Sequence, residues 1–273
     1  QVVPVQLDEE ESSAFGERVN WADSRWPVVR RWRLARLAPV LKSLDITLLH
    51  ALDGRLWQGT MGLVQRLNCA AVFSASSSLD INQVARLARN LDPATIAFAA
   101  ATTPIATALR QHLDPQVAVD FIPTAVHVPD ELPLRSSIRD GARPVCGVIA
   151  GDGRFDSGYQ ALFGALKVIL GQAPNAQFFL DGMGSDQQQV WQGAKRYELL
   201  ANLSLVPRRL GHRELLLHAD FLIQPQSLGR TRSLTLHAMA HGIPVLAMQD
   251  PWLDYLIEGQ TAWLVEQRDT DQW

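Results

Sequence analysis

The stretch Leu234–Ala247, LTLHAMAHGIPVLA, decides the fold. Its first half reads as a short helix that Gly242 caps, and its second half opens the apolar run Ile243–Met248, which has the length of a buried strand. Just upstream, the apolar run DFLIQPQ (Asp220–Gln226) enters a polar turn, SLGRTRS (Ser227–Ser233). Strand, turn, helix and strand in that order form the ligand-facing half of an open α/β sheet, where ligands sit beyond the carboxyl ends of the strands.

The same alternation extends outward through the chain. In the second half it predicts strands in VCGVIAG (145–151), AQFFLDG (176–182), LSLVP (203–207), DFLIQPQ, IPVLAMQ (243–249) and AWLVE (262–266). The helices between them are expected at 158–171, 187–202, 212–218, 233–241 and 252–258. In the first half the expected strands are VVPVQL (2–7), ITLLHAL (46–52), AAVFSAS (70–76), TIAFAAA (95–101) and AVDFIP (118–123), with helices at 31–43, 57–67, 81–90 and 104–112. Leu34, Leu37, Leu41 and Leu44 recur at three and four, which gives the first of those helices one apolar face. Between the halves, residues 128–144 (VPDELPLRSSIRDGARP) lose the pattern to proline, charge and serine and read as a linker. The expected organisation is an N-terminal domain over 1–127, this linker, and a C-terminal domain over 145–273, each doubly wound.

Composition narrows the function classes. With 273 residues the chain exceeds one ordinary hydrophobic core, and a net charge of -3 gives no reason to expect nucleic acid as a partner. Cys69 and Cys146 each open an apolar run that reads as a buried strand, so no disulfide framework is expected and a reducing, cytoplasmic setting fits. No apolar run reaches the ~18 residues of a membrane span. No metal-ligand spacing is visible among the seven histidines and two cysteines. The chain begins at Gln1 without methionine and stops at Trp273 after a strand, which suggests natural residues beyond both ends.

The segment around Leu234–Ala247 resembles the nucleotide-sugar segment of retaining GT-B glycosyltransferases of the family 4 type, which reads roughly P-S-x-x-E-G-x-x-x-x-x-x-E-A-M-A-x-G-x-P-V. Pro225, Ala238, Met239, Ala240, Gly242, Pro244 and Val245 match it. The resemblance implies a GT-B fold, two Rossmann-like domains facing across a cleft, and transfer of a hexose from a nucleotide diphosphate donor without a bound cofactor or metal. It also implies that two glutamates contact the donor sugar and the ribose, but Gly229 and His237 stand in their places. His237 can still exchange one hydrogen bond with a ribose hydroxyl.

The family's first loop of the second domain reads G-R-L-x-x-x-K-G, with the Arg and Lys on the diphosphate. Here the loop is GDGRFDSG, with Gly151 and Gly158 at the matching spacing, Asp152 in the arginine position and Ser157 in the lysine position. A carboxylate facing a diphosphate is repulsive by about a few kcal/mol when both are dehydrated. Against that loss stand Arg230 and Arg232, flanking Thr231 and Ser233 at a helix start, with Arg154 as a third cation. Guanidiniums beside free backbone N–H groups make an anion site. The expected donor-binding set is therefore Gly151, Arg154, Gly229, Arg230, Thr231, Arg232, Ser233 and His237; a solvated basic turn capping a helix is the alternative. FFLDGMGSD (178–186) resembles the family's G-D-G-x turn, and an ordinary tight turn explains it equally well.

The N-terminal half carries less of the resemblance. Family 4 enzymes open with a strand and a G-G loop that has no counterpart before residue 16, so this domain is expected to lack its first strand here. Thr124, Ala125 and His127 replace the family's Asn, Gly and Asp after DFIP, and the strand AAVFSAS ends in serines where the family has a histidine. His50, at the end of ITLLH, is a candidate cleft residue with either a structural or a catalytic role; no catalytic residue is assigned. Trp21–Lys42 holds six basic residues, one acid and three tryptophans, a pattern suited to peripheral contact with an anionic membrane or to a solvated helix with its tryptophans in the core.

Two functions follow. The first is sugar transfer to a glycan or lipid-linked acceptor through an altered donor site. The second is a catalytically inactive GT-B homologue that binds a sugar, a nucleotide or a protein, since all four donor positions (Asp152, Ser157, Gly229 and His237) depart from the family pattern.

Overall fold

The structure is a computed structural model that describes residues 5–6, 19–20, 26–87, 92–128, 144–151, 154–181, 187–206, 212–266 and 269–273. The expected linker is thereby outside the described residues except at its ends. The chain divides into two compact units, Gln1–Ile122 and Pro123–Trp273.

In the first unit, a two-residue parallel pair, β1 (Val5–Gln6) and β2 (Val19–Asn20), precedes α1 (Pro27–Ser43). β3 (Leu48–Ala51), α2 (Gly54–Leu67), β4 (Ala70–Ala75), α3 (Ser78–Leu87), β5 (Ile96–Ala100), α4 (Thr103–His112) and β6 (Ala118–Phe121) follow. The four strands form a parallel sheet in the order β3-β4-β5-β6. Each strand adds on the same side of the last, so right-handed crossovers place α2, α3 and α4 on one face. Trp57 of α2 is fully buried there, with Phe73 and Phe98 of neighbouring strands edge-on to it at 5.8 and 5.5 Å. α1 begins at Pro27 rather than residue 31, because proline needs no amide partner in a first helical turn and its ring presets φ. The face of α1 bearing Leu34, Leu37, Ala38 and Leu41 packs against Leu63 of α2.

The second unit runs β7 (Cys146–Ile149), α5 (Ser157–Gln172), β8 (Gln177–Asp181), α6 (Gln187–Arg196), β9 (Leu203–Val206), α7 (His212–Leu217), β10 (Phe221–Gln224), α8 (Ser233–Ala240), β11 (Val245–Met248) and β12 (Trp263–Val265). Its six strands are parallel, in the order β12-β11-β10-β7-β8-β9. Alternate residues serve opposite faces: Val148 and Leu222 enter one core with Leu216 and Ala238, while Ile149 and Ile223 enter another with Tyr159 and Phe163. Both faces are covered, as continuous apolar strands require. Strand order reverses between β7 and β10, so the crevice at their carboxyl ends is the topological switch point.

Two helices depart from expectation. α6 stops at Arg196 instead of residue 202, because Glu198 turns to φ +64 and Leu199 N bonds back to Ala194 O, a left-handed helix stop made without glycine. Residues 252–258 form turns rather than a helix. Asp250 Oδ1 accepts from Trp252 N at 3.0 Å, Leu253 N bonds Asp250 O, and Leu256 N bonds Leu253 O, so each turn closes on the residue three back and none propagates.

Candidate functional site

At the switch point, two loops of the second unit are locked together. Gly158, at the start of α5, lies so close to the β10 loop that a Cβ there would meet Pro225 O at 1.8 Å, which explains glycine at this position. A Cβ on Gly151 would likewise meet Tyr159 Oη at 2.0 Å. Asp156 caps α5, its Oδ1 accepting from Gly158 N and Tyr159 N at 3.1 Å each. Gln226, buried to 1% exposure, donates from Nε2 to Asp156 Oδ2 at 2.7 Å and to Arg154 O at 3.2 Å. The Arg154 residue is exposed, Ser157 is the first residue of α5, and Asp152 lies outside the described residues.

The second loop runs from Pro225 to α8. Gly229 is buried at φ +56, a left-handed conformation that a side chain would strain, and its N–H donates to Asp250 Oδ2 at 2.6 Å. Arg230 is exposed, and Arg232 is the N-cap of α8 at φ -118 with no capping hydrogen bond from its side chain. Arg232 N donates to Tyr255 Oη over a long 3.5 Å. Burial pushes the Tyr255 phenol up to about 12, and the Arg232 N–H opposes that shift. Between the arginines, the Thr231 hydroxyl oxygen is buried with no hydrogen-bond partner among the described residues. Ser233 is exposed at the helix start. One turn further, His237 is buried at 6% exposure, and its carbonyl accepts from both N and Nδ1 of His241. Under the same helix, Thr235 Oγ1 donates to Gln224 Oε1 at 2.7 Å, which satisfies two buried polar side chains.

The structure thus gathers Gly229, Arg230, Thr231, Arg232 and Ser233 in one turn and ties Arg154 and Gly158 to its upstream end through Gln226 and Pro225, while Gly151 packs against Tyr159. Asp250, Tyr255 and Gln226 were absent from the sequence-derived set. Asp156 was legible as an N-cap acid directly before a helix start. Glu258 accepts from Leu264 N, a structural bond at the β12 edge. The turn after β8 at 182–186 lies outside the described residues. In the first unit, His50 Nε2 sits 2.8 Å from Ser74 Oγ on the sheet face opposite α2. Among the described residues, no group of three or more His, Cys, Asp or Glu side chains is placed to hold a metal, and no helix is long and apolar enough to cross a membrane.

No family model matches the sequence, and no curated protein does. Solved structures do. HepE of Anabaena, in complex with UDP and glucose, superposes with a TM-score of 0.70 at 13% identity, over 94% of this chain and 73% of its own. A glycosyltransferase from Rickettsia africae gives 0.67 at 11% identity, over 94% and 72%. The lipopolysaccharide outer core galactosyltransferase WaaB, in its apo form, gives 0.59 at 13% identity, over 93% and 72%. Parallel Rossmann-like sheets in both units and these likenesses along nearly the whole chain establish that the protein has the GT-B glycosyltransferase fold.

Proposed function

We propose that the second unit binds a nucleotide diphosphate sugar and that the protein transfers the sugar to a glycan or lipid-linked acceptor. The observation that carries this reading is the start of α8: Arg230 and Arg232 directly precede its first residue, Ser233, and the N-cap side chain of Arg232 makes no capping bond, beside the switch point of the sheet. Breaking the bond between the sugar carbon and the diphosphate oxygen leaves the electron pair on the diphosphate, while the acceptor oxygen bonds the carbon and loses its proton. Backbone N–H groups and guanidiniums aimed at that oxygen stabilise the charge as it develops. Thr231 and Ser233 supply hydroxyls at the same turn, and Arg154 belongs to the loop that Gln226 fixes to it. UDP is the natural first probe, because HepE is solved with UDP and with UDP-glucose.

The test is a thermal melt and a calorimetric titration with UDP, GDP, ADP and their sugars. Ligand at a hundred times its dissociation constant raises stability by about 2.7 kcal/mol. The expected result is a base-selective shift that Arg230→Ala with Arg232→Ala abolishes; a flat panel sinks the donor-site reading. The second reading, binding without transfer, is favoured by two observations. Gly229 offers no side chain and commits its N–H to Asp250, and His237 is buried where the family places a ribose contact. Nucleotide binding with no release of UDP from UDP-sugar across a panel of acceptors would establish that reading.

A membrane-held acceptor is the proposed setting for the first unit. Residues 21–25 of the basic tryptophan segment lie outside the described residues, but α1 carries a second apolar surface besides its packed one. Trp26, Val28 and Trp32 are 75, 80 and 57% exposed, among Arg31, Arg36 and Lys42 and without an acid in the helix. Arg36 lies 4.9 Å over the Trp32 ring, an arrangement suited to the interface of an anionic bilayer. Co-sedimentation with vesicles containing anionic lipid, lost with Trp26→Ser and Trp32→Ser and absent on neutral vesicles, is the expected outcome. A cytoplasmic location fits two cysteines that form no disulfide, and burial raises the Cys69 thiol above its ordinary value.

A further inference from the structure

The turn that holds the two arginines is braced by the segment Asp250–Tyr255. Asp250, at 5% exposure, receives Gly229 N on one oxygen and Trp252 N on the other; Tyr255 Oη meets Arg232 N. One neighbouring turn therefore holds both ends of Gly229–Arg232. A buried carboxylate is the wrong charge to place next to a site for a diphosphate, since it weakens the field that the arginines create. Its position is accounted for by what it does to the backbone. Gly229 N is buried and would be an unsatisfied donor without it. A hydrogen bond to a charged acceptor is also about twice as strong as a neutral one.

We propose that Asp250 is a positioning residue that fixes the arginine turn through Gly229 N, so that Arg230 and Arg232 are already in place when the anion arrives. The proposal rests on the donor-site reading for its functional meaning. Gly229 has no Cβ to restrict it, and its left-handed backbone is selected by this one bond; loss of the bond lets the turn sample other conformations and takes the guanidiniums with it. Asp250 touches no ligand in this account.

The sign of one measurement separates this role from that of a bystander charge. Asp250→Asn is nearly isosteric and removes the negative charge. For a bystander, UDP affinity should rise, because a repulsive charge has gone. For a positioning residue it should fall by about tenfold or more, the loss expected when a buried backbone donor loses a charged acceptor. Calorimetric titration with UDP gives the affinity, and amide hydrogen exchange of the ligand-free protein gives the second readout. Faster exchange confined to 229–233 and to Trp252, whose amide shares the same carboxylate, with the rest of the second unit unchanged, is expected. Tighter UDP binding overturns the proposal, as does unchanged exchange in that segment. If the unaltered protein does not bind UDP, the donor-site reading fails by itself, and the exchange of Asp250→Asn still decides whether Asp250 holds the turn. Should Asp250→Asn fail to fold, Gly229→Ala strains the same φ from the other side and must reproduce the loss of affinity; an unaltered affinity there overturns the proposal.

Discussion

Two helices of the second unit start at the carboxyl ends of adjacent strands, after glycine-bearing turns, and they start in opposite ways. At α5 the chain supplies its own anion: the Asp156 carboxylate takes the amides of Gly158 and Tyr159 and is held by Gln226. At α8 the N-cap side chain of Arg232 makes no capping bond, and Arg230 and Arg232 both lie in the turn just before the first helical residue, Ser233. The positive end of a helix dipole can serve one anion at a time. An occupied start stabilises the fold, and an unoccupied one is available to a ligand. In the family that the chain resembles, the first loop carries Arg and Lys for the diphosphate; here Ser157 stands in the lysine position, and two of the three candidate cations, Arg230 and Arg232, lie in the second turn. On the proposed reading, phosphate recognition rests mainly on the second turn, with Arg154 of the first loop beside it.

The contrast can be broken most directly at Gly158, where the two loops cross. Gly158→Ala drives a Cβ into Pro225 O, and the second unit should lose about 3 kcal/mol or more of stability in urea unfolding. Gly171→Ala in the same helix meets nothing within 4 Å and should instead gain about 0.5–1 kcal/mol. Equal effects from the two would mean that the loops do not cross as described.

A smaller effect sharpens the α8 side. The phenol of Tyr255 is raised to about 12 by burial, above the ordinary value of 10 in the unfolded chain. A raised pKa favours the protonated form in the folded protein. Its contribution is therefore complete below pH 10 and is lost as the pH climbs through about 12, for a total near 2–3 kcal/mol. Tyr255→Phe should flatten the stability profile over that window; an unchanged alkaline slope would mean that the hydroxyl is not buried against Arg232.

Asp156→Ala gives the smallest effect and the finest distinction. Loss of the cap should lower stability by about 1 kcal/mol. UDP affinity should stay as it was if the anion sits at α8, and should tighten if the emptied α5 start was the true phosphate site.

Particular residues show what was legible beforehand. Among the described residues, β3 to β12 fall within the apolar runs read from the sequence; the central strands are apolar on both faces and leave uninterrupted runs, and the edge strands β3 and β6 bury only part of theirs. β1 also lies in an expected strand, whereas its partner Val19–Asn20 gave no signal, since two residues carry no period. Gly151 and Gly158 were singled out for their spacing and Gly229 for replacing a glutamate, and each proves to sit where a Cβ would clash or where φ is positive. The helix expected at 252–258 failed because the local pattern is amphipathic while Asp250 is committed to partners on both sides. His237 was assigned a ribose contact from its place in a motif, and periodicity gave no warning that α8 is buried at that point.

The sequence by itself determined the alternation of strands and helices, the division into two α/β halves and the presence of two arginines at a helix start. These depend on neighbours in the chain, on hydrophobic period and on stop signals, all of which are local. Only the tertiary structure decided which helix start is closed and which is open. That outcome depends on Gln226 reaching Asp156 across 70 residues and on Asp250 reaching Gly229 across 21, bonds between segments that no local pattern relates.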